Sequence, residues 1–191
     1  MNQPELIVQL QQGDEQAFKK LVDQWQDMVF NTAVSIVQHE DDADDITQDV
    51  FIQVYQSVSS FKGESKFSTW LYRIVISKSL DHVKKKKRKK RFAFVQSLFG
   101  TASEEEIHPE EFNHPGVLME NRETAATLFK AMEQLPDNQR IAFTLHKMEQ
   151  QKHQDIAAIM NLSITAVESL IARAKTNLRK ILQEYYTKNN L

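Results

Sequence analysis

Phe67-Ser-Thr-Trp-Leu-Tyr-Arg-Ile-Val-Ile-Ser-Lys-Ser-Leu-Asp-His-Val83 runs without a break into Lys84-Lys-Lys-Lys-Arg-Lys-Lys-Arg91. In the first part, Phe67, Trp70, Leu71, Ile74, Leu80 and Val83 recur near the helical period. One face of a helix here therefore wants a core. Ser68 or Thr69 is placed to cap its start. The second part is eight consecutive cations. Such blocks are often solvated tails. Joined to a packed face, this one predicts a helix held by a domain and aimed at a polyanion.

The flanking charge supports that reading. The chain has 191 residues and a net charge of −2. Residues 1–61 carry net −9, residues 62–91 net +10, residues 92–122 net −5 and residues 123–191 net +2. A basic stripe of this kind is a nucleic-acid footprint that the whole-chain average hides. Cysteine is absent, which excludes a disulfide framework and thiolate metal sites. The N-terminus lacks the cationic-then-apolar signature of a signal peptide, and no apolar run approaches the ~20 residues that span a bilayer. A cytoplasmic protein without stable membrane insertion is expected. Four Gly, four Pro and few β-branched windows argue for helices throughout.

Upstream, residues 4–12 form a short helical candidate ended by Gly13, and Asp14 can cap a longer helix carrying Ala17, Phe18, Leu21, Val22, Trp25, Met28, Val29, Ala33, Ile36 and Val37. His39-Glu-Asp-Asp42 breaks it, with Asp41 or Asp42 capping the next helix. That helix places Ala43, Ile46, Val50, Phe51 and Val54 on one face and Asp45, Gln48, Asp49 and Gln53 toward the other. The aspartates match a calcium loop in composition only, because the central Gly and the closing Glu are missing. An acidic face for solvent or for a cationic protein is the expectation. Residues 57–66 read as a loop around Gly63. Downstream, residues 92–122 read as an acidic linker with an apolar start. His108, His114, Glu110 and Glu111 there are too isolated to make a metal site.

The second helical block starts near Asn121. It shows a stripe of Ala125, Leu128, Phe129, Met132 and Leu135, then a stop and restart at Leu135-Pro136-Asp137. His153-Gln-Asp-Ile-Ala-Ala-Ile-Met-Asn-Leu-Ser-Ile-Thr-Ala-Val-Glu-Ser-Leu-Ile-Ala-Arg173 then gives a helix-turn-helix pattern. Ala157 is small where helices cross. Asn161 sits where a left-handed turn is needed. Ser163 caps the second helix. Val167, Leu170, Ile171, Ala174, Leu178, Ile181 and Leu182 make the buried stripe. Thr165, Glu168, Ser169, Ala172, Arg173, Thr176, Arg179 and Lys180 lie opposite, the early ones placed for base edges and the later cations for phosphate. A helical hairpin that binds no DNA is the alternative, which the small residue, turn and cap in register make the less favoured reading.

Taken together, these motifs resemble the extracytoplasmic-function group of the sigma-70 family. The likeness covers about residues 14–91 and 123–187. Asp42-Ala-Asp-Asp-Ile-Thr-Gln-Asp-Val-Phe51 resembles the helix that docks on the clamp of the RNA polymerase β′ subunit. Phe67–Ile74, continued through Asp81 into the cations, resembles the segment that opens and reads the −10 element. Leu135-Pro136 and His153–Lys180 resemble the module that reads the −35 element. The resemblance implies an all-α protein of two small helical domains joined by a flexible linker, with boundaries at 1–91, 92–122 and 123–191. It implies polymerase contacts at Asp45, Gln48, Asp49 and Ile52. The implied −10 contacts are Phe61, Lys62, Lys66, Arg73, Ser77, Lys78, Asp81 and Lys84, and the implied −35 contacts are Ser163, Thr165, Glu168, Ser169, Arg173 and Arg179. The implied partners are core polymerase through its β′ clamp and β flap, promoter DNA and an anti-sigma factor. No catalytic residue, metal or cofactor is implied. This sequence departs from the family at Ser77, where Asn is common, and at Glu168 and Leu170, where cations are common. Trp70 suits either base stacking or the core, and its place in the apolar stripe favours the core. A helix-turn-helix regulator that is not a polymerase subunit is the alternative. A metal-dependent nuclease would require carboxylates that converge, whereas these lie along one helix end.

Overall fold

The computed structural model describes residues 3–98 and 122–188. Among them lie eight α-helices and no strand: α1 (Gln3–Gln11), α2 (Glu15–Val37), α3 (Glu40–Ser57), α4 (Phe67–Leu98), α5 (Arg122–Glu133), α6 (Asp137–Lys147), α7 (His153–Met160) and α8 (Ile164–Lys188). A short 3-10 turn, Val58–Ser60, follows α3. The acidic run Glu104–Glu106 and the residues His108, Glu110, Glu111 and His114 lie outside the described residues.

The first module is α1–α4. Asp14 starts α2 by accepting hydrogen bonds from the backbone N–H groups of Gln16 and Ala17. That satisfies two of the donors orphaned at any helix start. Leu21, Val29, Ala33 and Val34 of α2 then pack against Ala43, Ile46, Val50 and Val54 of α3 and Phe67, Leu71 and Val75 of α4. The turn between α2 and α3 differs from the sequence expectation. Gln38 takes the left-handed conformation at φ 58°, and His39, not Asp41 or Asp42, is the cap, its Nδ1 accepting from the Asp42 N–H. An imidazole nitrogen serves as the acceptor that a carboxylate or hydroxyl usually provides. The start of α4 differs as well. The Trp70 N–H already donates to the Lys66 carbonyl, so Ser68 and Thr69 lie inside the first turn instead of capping it. The helix continues through the whole cation run to Leu98.

The second module is α5–α8. Pro136 precedes α6, where its missing N–H costs nothing. Phe129, Met132 and Leu135 pack on Phe143 of α6 and on Ala174 and Leu178 of α8. Asn177 Nδ2 donates to Gln139 Oε1 at 2.8 Å, tying α8 to α6.

The two modules share a third apolar cluster. Tyr72, Ile76 and Leu80 of α4 and Met28 of α2 pack against Ile141, Ala142 and Leu145 of α6, Ile156, Ala157 and Ile159 of α7, and Val167 and Ile171 of α8. Helix α4 therefore buries two faces, one in each module.

Candidate nucleic-acid interface

The helix-turn-helix is built as its sequence suggests. Asn161 ends α7 at φ 55° and ψ 48°, with its N–H on the Ala157 carbonyl. The Leu162 N–H reaches the same carbonyl at 3.0 Å. Ser163 Oγ accepts from the Ala166 N–H at 3.1 Å and begins α8. The two helices meet at a bend of 100°. Val167, Ile171, Ala174 and Leu178 are buried on the inner side of α8, while Ser163, Thr165, Glu168, Ser169, Arg173 and Arg179 are exposed. That outer face is free of the shared core. His153 Nδ1 lies 3.5 Å from Glu168 Oε1 at the mouth of a cleft of about 640 Å³ lined by His146, Gln150, Lys152 and Ile164 among others. The rings of His153 and His146 are 5.1 Å apart. Burial pushes the His146 pKa down, as do the charges of His153, Lys147 and Lys175, against a hydrogen bond to the Gln151 backbone.

The loop before α4 forms a second concave surface. Gln11 Nε2 donates to the Phe61 carbonyl at 2.9 Å and to the Val58 carbonyl at 3.3 Å, so α1 holds the loop in place. Gly63 supplies a left-handed backbone at φ +72°. A cleft of about 360 Å³ opens here, lined by Pro4, Ile7, Gln11, Phe61, Lys62, Gly63, Ser65 and Phe67. Behind it Phe61, Phe67 and Trp70 form an aromatic triangle with centroids 5.2–5.6 Å apart. Trp70 packs on the first module's core, in accord with its stripe position.

Along α4, Arg73, Ser77, Asp81 and Lys84 are exposed and Lys78 is half-buried, while Lys62 and Lys66 are exposed in the loop. The cations have different surroundings. Lys86 Nζ lies 2.6 Å from Asp42 Oδ2, and His82 Nε2 lies 3.2 Å from the same oxygen. Burial alone would raise the Asp42 pKa, but the Lys86 hydrogen bond and the charges of Lys86, His82 and His39 outweigh it and hold the carboxyl below its usual range. Lys66 Nζ meets Asp155 Oδ1 of α7 at 2.7 Å.

The outer face of α3 presents a third surface. Asp45, Gln48, Asp49 and Ile52 are all exposed. Ile52 is 54% exposed and Tyr55 55%, an apolar pair among acids. The Tyr55 ring is held edge-on to Phe18 at 5.2 Å.

Sequence reasoning missed the polar groups between the modules. Tyr72 Oη donates to Glu149 Oε2 at 3.0 Å and accepts from Gln151 Nε2 at 3.2 Å. Burial raises the Glu149 pKa, against lowering by the Tyr72 and Thr32 hydrogen bonds. Burial and the neighbouring Glu149 raise that of Tyr72. Arg73 Nη2 donates to the Ala158 carbonyl at 2.6 Å and Nε to the Ile159 carbonyl at 3.3 Å. The one signal in the sequence was that Tyr72 and Ile76 are apolar off the stripe of α4.

An exposed recognition helix on one module and an aromatic loop with a cationic helix on the other define a two-part reader of nucleic acid. Comparison with known proteins gives the same class. Residues 21–89 match the model of sigma-70 region 2, and residues 126–178 that of sigma-70 region 4. The chain is 32% identical to the RNA polymerase sigma-H factor of Pseudomonas aeruginosa over 94% of its length and 93% of that protein. It is also 32% identical to the ECF RNA polymerase sigma-E factor of Escherichia coli K12, over 89% and 88%. Among solved structures, the sigma factor RpoE of Bartonella quintana, crystallised with the anti-sigma factor NepR, aligns at TM-score 0.62 and 26% identity, covering 87% of this chain and 96% of that one. CnrH, in complex with the cytosolic domain of CnrY, shares the fold at TM-score 0.66 and 23% identity, covering 94% and 96%. The chain belongs to the extracytoplasmic-function group of the sigma-70 family: it is an RNA polymerase sigma factor, a transcription initiation factor. No single described helix is long and apolar enough to cross a membrane.

Proposed function

We propose that three surfaces divide the work of promoter recognition, in domains bounded at 1–91, 92–122 and 123–191. Asp45, Gln48, Asp49 and Ile52 dock on the basic clamp of the β′ subunit. Their common exposure beside Tyr55 supports this, since apolar side chains inside an acidic rim suit a protein partner. The cleft at Phe61–Lys66 receives a base turned out of the −10 strand. Extrusion costs a few kcal/mol, which pocket contacts and stacking must offset. Arg73, Lys78 and Lys84 hold phosphates, while Ser77 and Asp81 line the same strand path. Ser163, Thr165, Glu168, Ser169, Arg173 and Arg179 read the −35 element in the major groove, and the second module also meets the β flap. Glu168 can accept from cytosine N4, and Thr165 and Ser169 suit several bases.

The observation that carries this reading is the presence of both sigma-70 regions, in order, on one chain whose candidate contact residues are largely surface-exposed. The protein acts by binding, without chemistry or a cofactor of its own, in the cytoplasm, and an anti-sigma factor holds it idle. The linker must span part of the distance between elements about 25 base pairs apart, roughly 80 Å at ~3.4 Å per pair; the twenty-three residues between the end of α4 at Leu98 and the start of α5 at Arg122 would reach about 75–85 Å at most if extended. Run-off transcription with core polymerase over a genomic promoter library tests the assignment. Defined start sites that vanish without this subunit are expected; no transcript from any promoter would refute it.

A further inference from the structure

Most of the cation run has no task in promoter recognition as proposed above. Lys84 is assigned to phosphate and Lys86 is paired with Asp42, which leaves Lys85, Lys87, Arg88, Lys89 and Arg91 exposed on α4. The match to sigma-70 region 2 stops at residue 89, yet α4 continues to Leu98. Phe92, directly after the cations, is 66% exposed, more than any other large apolar side chain among the described residues. From there the sequence reads Phe92-Ala-Phe-Val-Gln-Ser-Leu98.

Helical register sorts these positions. Lys86 marks the side of α4 that turns to Asp42 and the first module. At about 100° per residue, Lys84, Arg88 and Arg91 lie about 140–160° around the axis from it, and Phe92 about 120°. Val95 and Leu98 follow Phe92 at intervals of three, again at register positions away from Lys86. Cationic and apolar positions therefore share one side of the helix, the side opposite the module. Phosphate recognition accounts for the cations but not for an apolar stripe that continues from them. An anionic lipid surface accounts for both. Lys and Arg meet the headgroups, while apolar side chains enter the boundary between headgroups and acyl chains.

We propose that Lys84–Leu98 is a membrane-surface anchor, by which the free subunit adsorbs reversibly to anionic lipid. The helix lies in the plane of the interface and does not span it. The attraction is local. The whole chain carries −2 and residues 1–61 carry −9, so the pull comes from this stretch and turns the acidic helices toward solvent. This activity goes beyond promoter recognition and does not depend on it.

Vesicle flotation of the full-length chain, without polymerase or promoter, tests this. Vesicles of equal parts phosphatidylcholine and phosphatidylglycerol should carry the protein at about 0.1 M salt and release it near 1 M, as the screening length falls from ~10 to ~3 Å. Phosphatidylcholine alone should carry none. Each cation near an anionic surface contributes about fivefold, so Arg88→Gln with Arg91→Gln should weaken binding roughly 25-fold. Phe92→Ser should weaken it roughly tenfold and leave the affinity for random single-stranded DNA unchanged. No recovery with the anionic vesicles, or equal recovery with both kinds, would overturn the proposal from the wild type alone. So would vesicle binding that survives the double Arg change or Phe92→Ser. A parallel loss of DNA binding in Phe92→Ser would overturn it too, making the stretch a nucleic-acid tether. None of these outcomes depends on the run-off assay.

Discussion

Replacing Lys84 with Gln and, separately, Lys86 with Gln separates cations that meet DNA from cations used by the fold. Lys84 is exposed on α4, whereas Lys86 lies 2.6 Å from Asp42 Oδ2. A cation that neutralises one phosphate contributes about 0.9 to the slope of log K against log salt on duplex and about 0.7 on single strands. Lys84→Gln should therefore flatten the slope by about that amount; between about 50 and 200 mM salt, the wild type loses roughly threefold more affinity than the variant. Adding Arg73→Gln and Lys78→Gln brings the change to about 2.7 on duplex, roughly fortyfold over the same range. Lys86 is already neutralised by Asp42, so Lys86→Gln should move the slope by well under half as much. The assay is fluorescence anisotropy of labelled promoter DNA bound by holoenzyme across a salt series. Equal slopes for Lys84→Gln and wild type, or equal changes for Lys84→Gln and Lys86→Gln, would refute the reasoning.

Other expectations follow from the same geometry. Glu149 has a raised pKa in the packed state, so packing is favoured below its ordinary range and that contribution is lost as pH rises through the raised value. Energy transfer between dyes on the two modules should fall over that window in wild type and stay flat in Glu149→Gln, which keeps an acceptor for Tyr72. Asp42 behaves in the opposite sense: its lowered pKa gives stability above its ordinary value that is lost as pH falls through the lowered one. Asp42→Asn should therefore be less stable at neutral pH and show a shallower loss of thermal midpoint in acid. At Asn161, held at φ 55°, Gly should be tolerated, whereas Val should cost about 1–2 kcal/mol or more in urea denaturation; equal midpoints for the two variants would exclude a left-handed turn there.

The helix-turn-helix was legible because each of its constraints is local: the left-handed Asn161, the Ser163 cap and the α8 stripe all follow from backbone rules within a few residues. The caps of α3 and α4 were not. His39 accepts through an imidazole nitrogen, which competes with nearby carboxylates in any composition-based reading, and Ser68 looks like a cap although α4 has already begun. The second buried face of α4 was hidden for a different reason. A single apolar stripe assumes one core, and Tyr72 and Ile76 fall off it because two modules enclose the helix. Glu149 and Gln151 lie 77 and 79 residues from Tyr72, and Asp155 lies 89 from Lys66, and no local pattern connects such distant positions. The clefts at Phe61 and His153 also depend on packing between separate helices.

Helix α4 continues unbroken from the aromatic triangle into the lysines. At ~1.5 Å per residue, Phe67 and Arg91 stand about 36 Å apart along one axis, close to a full turn of duplex. The loop proposed to receive a base and the charges proposed to follow the backbone are thus mounted on a single stiff strut, fixed in spacing and in rotational phase. Lengthening the strut by one residue would swing every later side chain by about 100°, so its geometry constrains the path of the strand as firmly as the identity of any side chain on it.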